Sequence, residues 1–240
     1  MKQSVRFSYL TGIVCVLGIL AALIRSFYFG TAVDSEGYLI PMHPMQILFW
    51  ILAVCMIFLS ILFCRKLPQV QRPAPLGIRT GALQVLLAAS LGLTVWNLPA
   101  DLRFYSILRI LGWAAAAVLL ADGIMRCLQK KLGILAHSLL CIFLMVYIID
   151  NYSHYWSNVP EMERILVPAV AMILLLPLSC ELAFWDLGKA NDKRILVLSS
   201  LTAFFCLASV GCPQVQPLHL GGAVLSVNAL LSMRTGGEKK

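Results

Sequence analysis

Long apolar stretches without charged residues limit the fold of this chain more than any other feature of the sequence. Residues 45–64, 80–98 and 132–149 contain no Asp, Glu, Lys or Arg. Each is close to the roughly 20 residues that a helix needs to cross the hydrocarbon core of a bilayer. A backbone in hydrocarbon must satisfy its hydrogen bonds in helices or in a closed barrel. The stretches are continuously apolar rather than alternating, which favours helices. The sequence therefore predicts an all-α, polytopic integral membrane protein.

The composition agrees with a chain that is covered by lipid. Only 12% of its residues are charged and 60% are hydrophobic, whereas soluble domains carry about 25% charged residues. The chain has too few polar side chains to cover a water-facing globule of this size. The loops are also too short for an appended soluble domain, so residues 1–240 are predicted to form a single transmembrane helical domain in contact with the bilayer.

Eight transmembrane spans follow from the apolar stretches, at residues 7–27, 45–64, 80–98, 104–125, 132–149, 165–184, 195–210 and 218–233. The last two come from one uncharged block, residues 195–233, which is too long for a single span at about 1.5 Å per residue. Gly211, Pro213 and Pro217 interrupt this block near its middle, and such residues favour a turn. A helical hairpin is predicted here, and a pair of re-entrant segments is the alternative.

The basic residues predict the orientation. With eight spans and a cytoplasmic N-terminus, 15 of the 19 basic residues fall in cytoplasmic segments, as the positive-inside rule expects. These are Lys2, Arg6, Arg65, Lys66, Arg72, Arg79, Arg126, Lys130, Lys131, Lys189, Lys193, Arg194, Arg234, Lys239 and Lys240. Both termini are therefore predicted to be cytoplasmic, and the short loops suit a bacterial cytoplasmic membrane. This distribution also explains the net charge of +8 without a nucleic-acid partner.

Sequence motifs for catalysis are absent. The chain has no phosphate-binding glycine loop, no H-E-x-x-H and no G-x-S-x-G. Its eight cysteines form no C-x-x-C pair, and only Cys212 falls in a predicted outer loop. We expect them to act as small apolar packing residues rather than as a disulfide framework. The sequence thus predicts no catalytic residue and no cofactor.

Ionisable residues at membrane depth are the candidate functional residues, because they are costly there. One group is predicted at the outer side: Arg25, His43, Arg109, Asp150, His154 and His219. We hypothesise that these six line a ligand-binding cavity in which two arginines would suit an anionic head group or carboxylate. The alternative is that Arg109 and Arg25 extend to the membrane surface, and for Arg25 this simpler interpretation is favoured. Because the histidines are scattered over several spans, no metal site is predicted.

A second polar cluster is predicted at the inner side, formed by Asp122, His137 and Glu181. Asp122 and Arg126 are i,i+4 neighbours, so a local ion pair is the simpler interpretation of Asp122. His137 would serve either as a proton relay or as a buried, hydrogen-bonded side chain.

Three functions are compatible with these residues. The first is binding or transport of a small or amphiphilic, anionic solute through the outer polar cavity. The second is a non-catalytic subunit or scaffold, which would contact other membrane subunits or a second copy of the chain. The third is a membrane-embedded enzyme acting on a lipid head group, which the missing motifs disfavour. The first hypothesis is preferred because Arg109 and the outer histidines motivate it.

Overall fold

The computed structural model describes residues 2–32, 39–40, 43–65, 76–130, 132–155, 162–213 and 215–235, and the regular elements of these residues are α-helices. There are eight helices in this part of the chain: α1 (Lys2–Thr31), α2 (Pro44–Arg65), α3 (Ile78–Trp96), α4 (Tyr105–Cys127), α5 (Gly133–Tyr155), α6 (Met162–Asp186), α7 (Asp192–Ser209) and α8 (Pro217–Thr235). Each predicted span corresponds to one helix. The all-helical class is confirmed.

Among the described residues, six helices are long and apolar enough to cross a membrane, which is consistent with a multi-pass membrane protein. They contain the segments Ser8–Thr31, Pro44–Arg65, Ile78–Trp96, Tyr105–Cys127, Gly133–Asp150 and Arg164–Asp186. Helix α7 differs because its first turn carries Asp192, Lys193 and Arg194, and the apolar part of α8 is shorter. The total of eight spans and the cytoplasmic position of the termini remain predictions.

Helix α7 begins three residues before the predicted span because a polar cap starts it. The side chain of Asn191 accepts a hydrogen bond from the backbone N–H of Lys193 at 3.0 Å, which satisfies one of the free donors of the first turn. Gly188, between α6 and α7, has a φ of 71°, a conformation that a glycine adopts without steric cost. The capped turn thus places the charged residues of α7 at the helix end.

The helices form two sets that are joined by the α7–α8 hairpin. Helices α1 and α2 pack against each other, and α3 to α6 pack in chain order, each against the next. Helix α7 contacts α1, α2 and α6, whereas α8 contacts α1, α3 and α6. Within the described residues, the close packing between the two sets therefore runs through the hairpin, which occupies the centre of the bundle.

The central position of α7 explains its polar composition. Twelve of its 18 residues are buried, among them Ser199, Ser200 and Ser209. The hydroxyls of Ser200 and Ser209 donate to the carbonyl oxygens four residues earlier, both at 2.7 Å. This pattern satisfies a hydroxyl inside its own helix. A helix that is surrounded by other helices does not need an apolar surface for lipid, so α7 tolerates these residues.

Glycines allow the closest contacts between helices. A Cβ atom added to Gly123 of α4 would lie 2.9 Å from the carbonyl oxygen of Gly81 in α3. A Cβ added to Gly211, in the α7–α8 turn, would collide with the carbonyl oxygen of Ala22 in α1. Small residues at such positions let two backbones approach, which is typical of membrane helices.

The two ends of the bundle differ in how many basic residues the structure describes there. At the end where α1 begins and α8 ends, the described residues include Arg65, Arg79, Arg126, Lys130, Lys189, Lys193 and Arg194. We call this end the basic end and the other the far end. The backbone N–H of Gly77, before α3, donates to the carbonyl of Arg126 near the end of α4 at 3.1 Å. The basic end is the one for which a cytoplasmic position is predicted.

Candidate functional site

A buried network of charges lies at the basic end, where Asp122 and Arg126 of α4 meet Asp186 of α6. The Arg126 Nε lies 2.6 Å from Asp122 Oδ2, and its Nη2 lies 2.6 Å from Asp186 Oδ2. The three side chains are at most 7% exposed. Removing such charges from water is costly unless they are paired and hydrogen-bonded. The predicted Asp122–Arg126 pair is therefore present, and Asp186 is a partner that the sequence analysis did not assign.

The start of α5 completes this network through its backbone. The N–H of Leu132 donates to Asp122 Oδ1 at 2.9 Å, so both oxygens of this carboxylate are engaged. A Cβ added to Gly133 would collide with Asp186 Oδ2 and with Arg126 Nη2. Gly133 thus leaves room for the ion pair, whereas the side chain of any other residue would occupy the same space. The network ties α4, α5 and α6 together.

A small polar cavity of about 30 Å³ adjoins the network. Its lining includes Thr80, Gln84, Arg126, His137, Asp186 and Asn228. His137 is 3% exposed and Gln84 is 4% exposed. Within the described residues, the Nδ1 of His137 and the Nε2 of Gln84 have no hydrogen-bond partner. A polar cavity of this size has room for ordered water, and water would satisfy both nitrogens. The cavity is thus lined both by His137 and by Arg126, the ion-pair partner of Asp122.

Glu181, the third residue of the predicted inner cluster, has different partners. Its Oε1 lies 3.3 Å from the Nη1 of Arg194, and its Oε2 accepts from the N–H of Asn191 at 3.5 Å. The side chain of Arg194 is 70% exposed, so this ion pair is open to solvent and weak. Glu181 holds the α6–α7 turn and is not among the residues that line the polar cavity.

A larger, apolar groove lies beside the polar cavity, where α1, α3, α7 and α8 meet. Its volume is about 460 Å³, and its lining includes Cys15, Ile19, Leu83, Leu207, Val224 and Leu231. Ile19 is 54% exposed, so the groove opens on the surface that the six apolar helices present to lipid. It lies between the two helix sets, since α1 belongs to one and α3 to the other.

Arg79 provides a positive charge at the basic end of the groove. It is exposed, and its Nη2 lies 3.4 Å from the Oδ1 of Asn228. Both residues line the groove, and Asn228 also lines the polar cavity. A guanidinium carries five N–H donors, and Asn228 is its only recorded hydrogen-bond partner among the described residues. Arg79 therefore has donors left for an anionic group.

Arg25 lies at the far end but does not extend outward, so the favoured interpretation of this residue was wrong. It is 1% exposed, and its Cζ lies 4.5 Å from the ring centroid of Phe29 and 5.3 Å from that of Phe49. A guanidinium over aromatic faces is attracted by their quadrupoles. Burial raises the pKa of the Cys212 thiol, and the interaction of this thiol with Arg25 acts in the opposite direction. Arg25 joins α1, α2 and the α7–α8 turn.

Arg109 has a different setting from Arg25. It is exposed, and its Cζ lies 5.6 Å from the ring centroid of Tyr105, one turn earlier in α4. His43 precedes α2 and lies 5.7 Å, centroid to centroid, from the ring of Tyr28. His154 belongs to the last turn of α5, and its side chain is outside the described part of the structure. Arg109 thus lies on the surface of the bundle beside an aromatic ring.

Asp150 holds the start of α4. Its Oδ2 accepts a hydrogen bond from the backbone N–H of Phe104 at 2.8 Å, and the side chain is 2% exposed. Phe104 precedes the first residue of α4 and has no side-chain cap of its own. The carboxylate of Asp150 in α5 therefore caps the start of α4 in place of a local side chain.

We expect Asp150→Ala to lower the free energy of unfolding by about 1.5–3 kcal/mol, the range for hydrogen bonds to a charged group. The comparison variant is Ser106→Ala, since Ser106 is exposed in the first turn of α4, the helix that Asp150 caps. Thermal unfolding of the detergent-purified protein measures both. An equal effect of the two variants would contradict the capping role.

His219 forms the start of α8 and is 1% exposed. The N–H of Gln216 lies 3.0 Å from Nδ1, and the carbonyl oxygen of Pro168 in α6 lies 3.3 Å from Nε2. With Nδ1 as the acceptor, the ring hydrogen is on Nε2 and is donated to Pro168. The contact with Gln216 resembles one half of a capping box, in which the third helical residue satisfies the N-cap N–H. Both ring nitrogens are thus used in joining α8 to α6.

The structure places five of the six outer candidates in separate settings, and the side chain of His154 lies outside the described residues. Arg25, Asp150 and His219 hold helices together, Arg109 is on the surface, and His43 contacts an aromatic ring. No group of three or more His, Cys, Asp or Glu side chains that could bind a metal occurs among the described residues. A cavity that all six share remains a prediction, while the two cavities described above lie around Asn228.

Comparisons with protein-family models, with curated proteins and with solved structures gave no match. The residues of the candidate site are therefore assigned from the geometry of this chain alone.

Proposed function

We propose that this integral membrane protein binds an anionic phospholipid, with one acyl chain in the apolar groove and the phosphate at Arg79. The single observation that carries the proposal is the position of an exposed guanidinium at the end of a lipid-facing groove of about 460 Å³. This volume falls within the roughly 300–1,000 Å³ of typical small-molecule sites.

The chemistry of the groove favours a lipid over a water-soluble solute. The groove lining is apolar except at Arg79 and Asn228, so a ligand needs an apolar body and one polar end. The open side next to Ile19 faces the bilayer, from which a phospholipid enters without passing through water. Basic pockets between helices on the cytoplasmic side are typical sites for anionic head groups, and the basic end is predicted to be on that side.

Phospholipid addition to the detergent-purified protein tests this proposal. Phosphatidylglycerol at 100 times its Kd should stabilise the fold by about 2.7 kcal/mol, and phosphatidylcholine should do so much less. We expect Arg79→Gln to weaken phosphatidylglycerol binding about tenfold, or about 1.4 kcal/mol, because charge-assisted hydrogen bonds to the phosphate are lost. Native mass spectrometry gives the affinities, and thermal shifts give the stabilisation.

Two further variants separate head-group and acyl-chain recognition. Arg65→Gln removes an exposed arginine at the same end of the bundle but outside the groove, and it should leave the affinity unchanged. Val224→Phe narrows the groove, because Val224 is half-buried in its wall, and it should abolish binding of both lipids. Equal losses for Arg79→Gln and Arg65→Gln would show general surface attraction and overturn the proposed site.

A further inference from the structure

Two cysteines on neighbouring helices lie in contact, although they are far apart in the sequence. The Sγ of Cys141 in α5 lies 3.3 Å from the Sγ of Cys180 in α6. The Cys141 thiol also lies 3.6 Å from the carbonyl oxygen of Leu176. All eight cysteines are in the described part of the chain, and none of them forms a disulfide there. This is the one sulfur–sulfur contact recorded among them.

The pair lies at the edge of the surface that faces lipid. Cys180 is half-buried, and on α6 it is between Ile173, 52% exposed, and Phe184, 49% exposed. These residues are seven positions before it and four after it, so they share its helix face. On α5, Met145 follows Cys141 by four positions and is 52% exposed. A molecule dissolved in the bilayer can therefore approach the pair at Cys180, whereas Cys141 is only 9% exposed.

The local structure of α6 allows the sulfurs to move closer. A disulfide bond has an S–S length of about 2.05 Å, so the sulfurs must approach by about 1.3 Å. Pro177 lies inside α6, three residues before Cys180, and a proline removes the helix hydrogen bond that its N–H would otherwise donate. The missing bond would join Pro177 to Ile173, so the turn of α6 just before Cys180 is less constrained than a regular turn, and this favours the required shift.

We propose that Cys141 and Cys180 form a dithiol that reduces a lipid-soluble quinone. The two S–H bonds break and one S–S bond forms between the sulfurs. The two electrons and two protons that leave the thiols convert the quinone to its hydroquinone, so the reaction balances without another reactant. The apolar side chains around the pair exclude water-soluble oxidants, which selects a reactant that partitions into the bilayer. This activity is independent of phospholipid binding at Arg79.

The test uses the full chain in phosphatidylcholine liposomes, with decylubiquinone as the probe. After exposure and denaturation, maleimide mass tagging should find that two of the eight thiols are lost. Arg164 lies between the two cysteines, so trypsin separates them into the peptides 132–164 and 165–189. Mass spectrometry should find these two peptides joined by a disulfide, and hydroquinone should appear in a one-to-one ratio to it.

The controls distinguish this pair from general thiol oxidation. Cys141→Ser and Cys180→Ser should each keep all remaining thiols, because a single sulfur cannot form the bond. Cys206→Ser removes a buried cysteine elsewhere in the core, and this variant should still lose two thiols. The proposal is overturned if decylubiquinone removes no thiols, if other cysteine peptides are joined, or if hydrogen peroxide oxidises the pair as fast as the quinone.

Discussion

Replacement of Arg126 by methionine is expected to lower the free energy of unfolding by about 3–5 kcal/mol, the cost of removing one partner from a buried ion pair. The carboxylates of Asp122 and Asp186 would both remain in the core without their shared cation. Methionine fills a similar space, so the loss reflects charge rather than a cavity. Unfolding in detergent with increasing SDS measures the change.

Two comparisons show whether the charge network is the cause. Arg103→Met removes an exposed arginine just before the start of α4, at the far end of the bundle. This variant should change the free energy of unfolding by no more than about 0.5 kcal/mol. The triple variant Asp122→Asn, Arg126→Met and Asp186→Asn removes all three charges and should recover much of the lost stability. If Arg126→Met alone matches the wild type, the network does not stabilise the fold.

Gly211→Ala is the second substitution with a large expected effect, about 3 kcal/mol of destabilisation from overpacking. The added Cβ would collide with the carbonyl oxygen of Ala22 and lie 3.0 Å from the backbone nitrogen of Ser26. Both obstacles are backbone atoms of α1, which cannot rotate away as a side chain can. The α7–α8 turn would therefore move away from α1, and thermal unfolding should occur at a lower temperature.

Gly12→Ala provides the matched control. Gly12 lies in α1, is exposed, and has no atom within 4 Å of an added Cβ. Alanine is the better helix former by up to about 1 kcal/mol, so this variant should be unchanged or slightly more stable. If Gly211→Ala behaves in the same way, the close approach of the turn to α1 is not a constraint on the fold.

The helices could be predicted from the sequence because a membrane span depends on local residues. Apolar length decides whether a segment crosses the bilayer, and proline or glycine marks where it turns. This is why Gly211 and Pro217 indicated two helices in one uncharged block. The start of α7 was missed because its first turn is polar, and the cap at Asn191 depends on a single hydrogen bond.

Contacts between distant helices could not be predicted in the same way. Asp122 and Arg126 are one turn apart, so their pair was visible, but Asp186 joins them from α6. Arg79 was counted only as a cytoplasmic charge, since nothing local indicates that α8 places Asn228 beside it. The contact between Cys141 and Cys180 likewise depends on how α5 packs on α6. For Arg25, the aromatic rings that bury it come partly from another helix.

The position of the α7–α8 hairpin has a consequence for the order of assembly. These helices follow α1 to α6 in the chain, yet they fill the space through which the two helix sets are packed together. During synthesis, the earlier helices enter the bilayer before their central partners exist. These six helices must remain loosely associated until the hairpin is made and packs between them. Among the eight described helices, the central pair is therefore the last to be made.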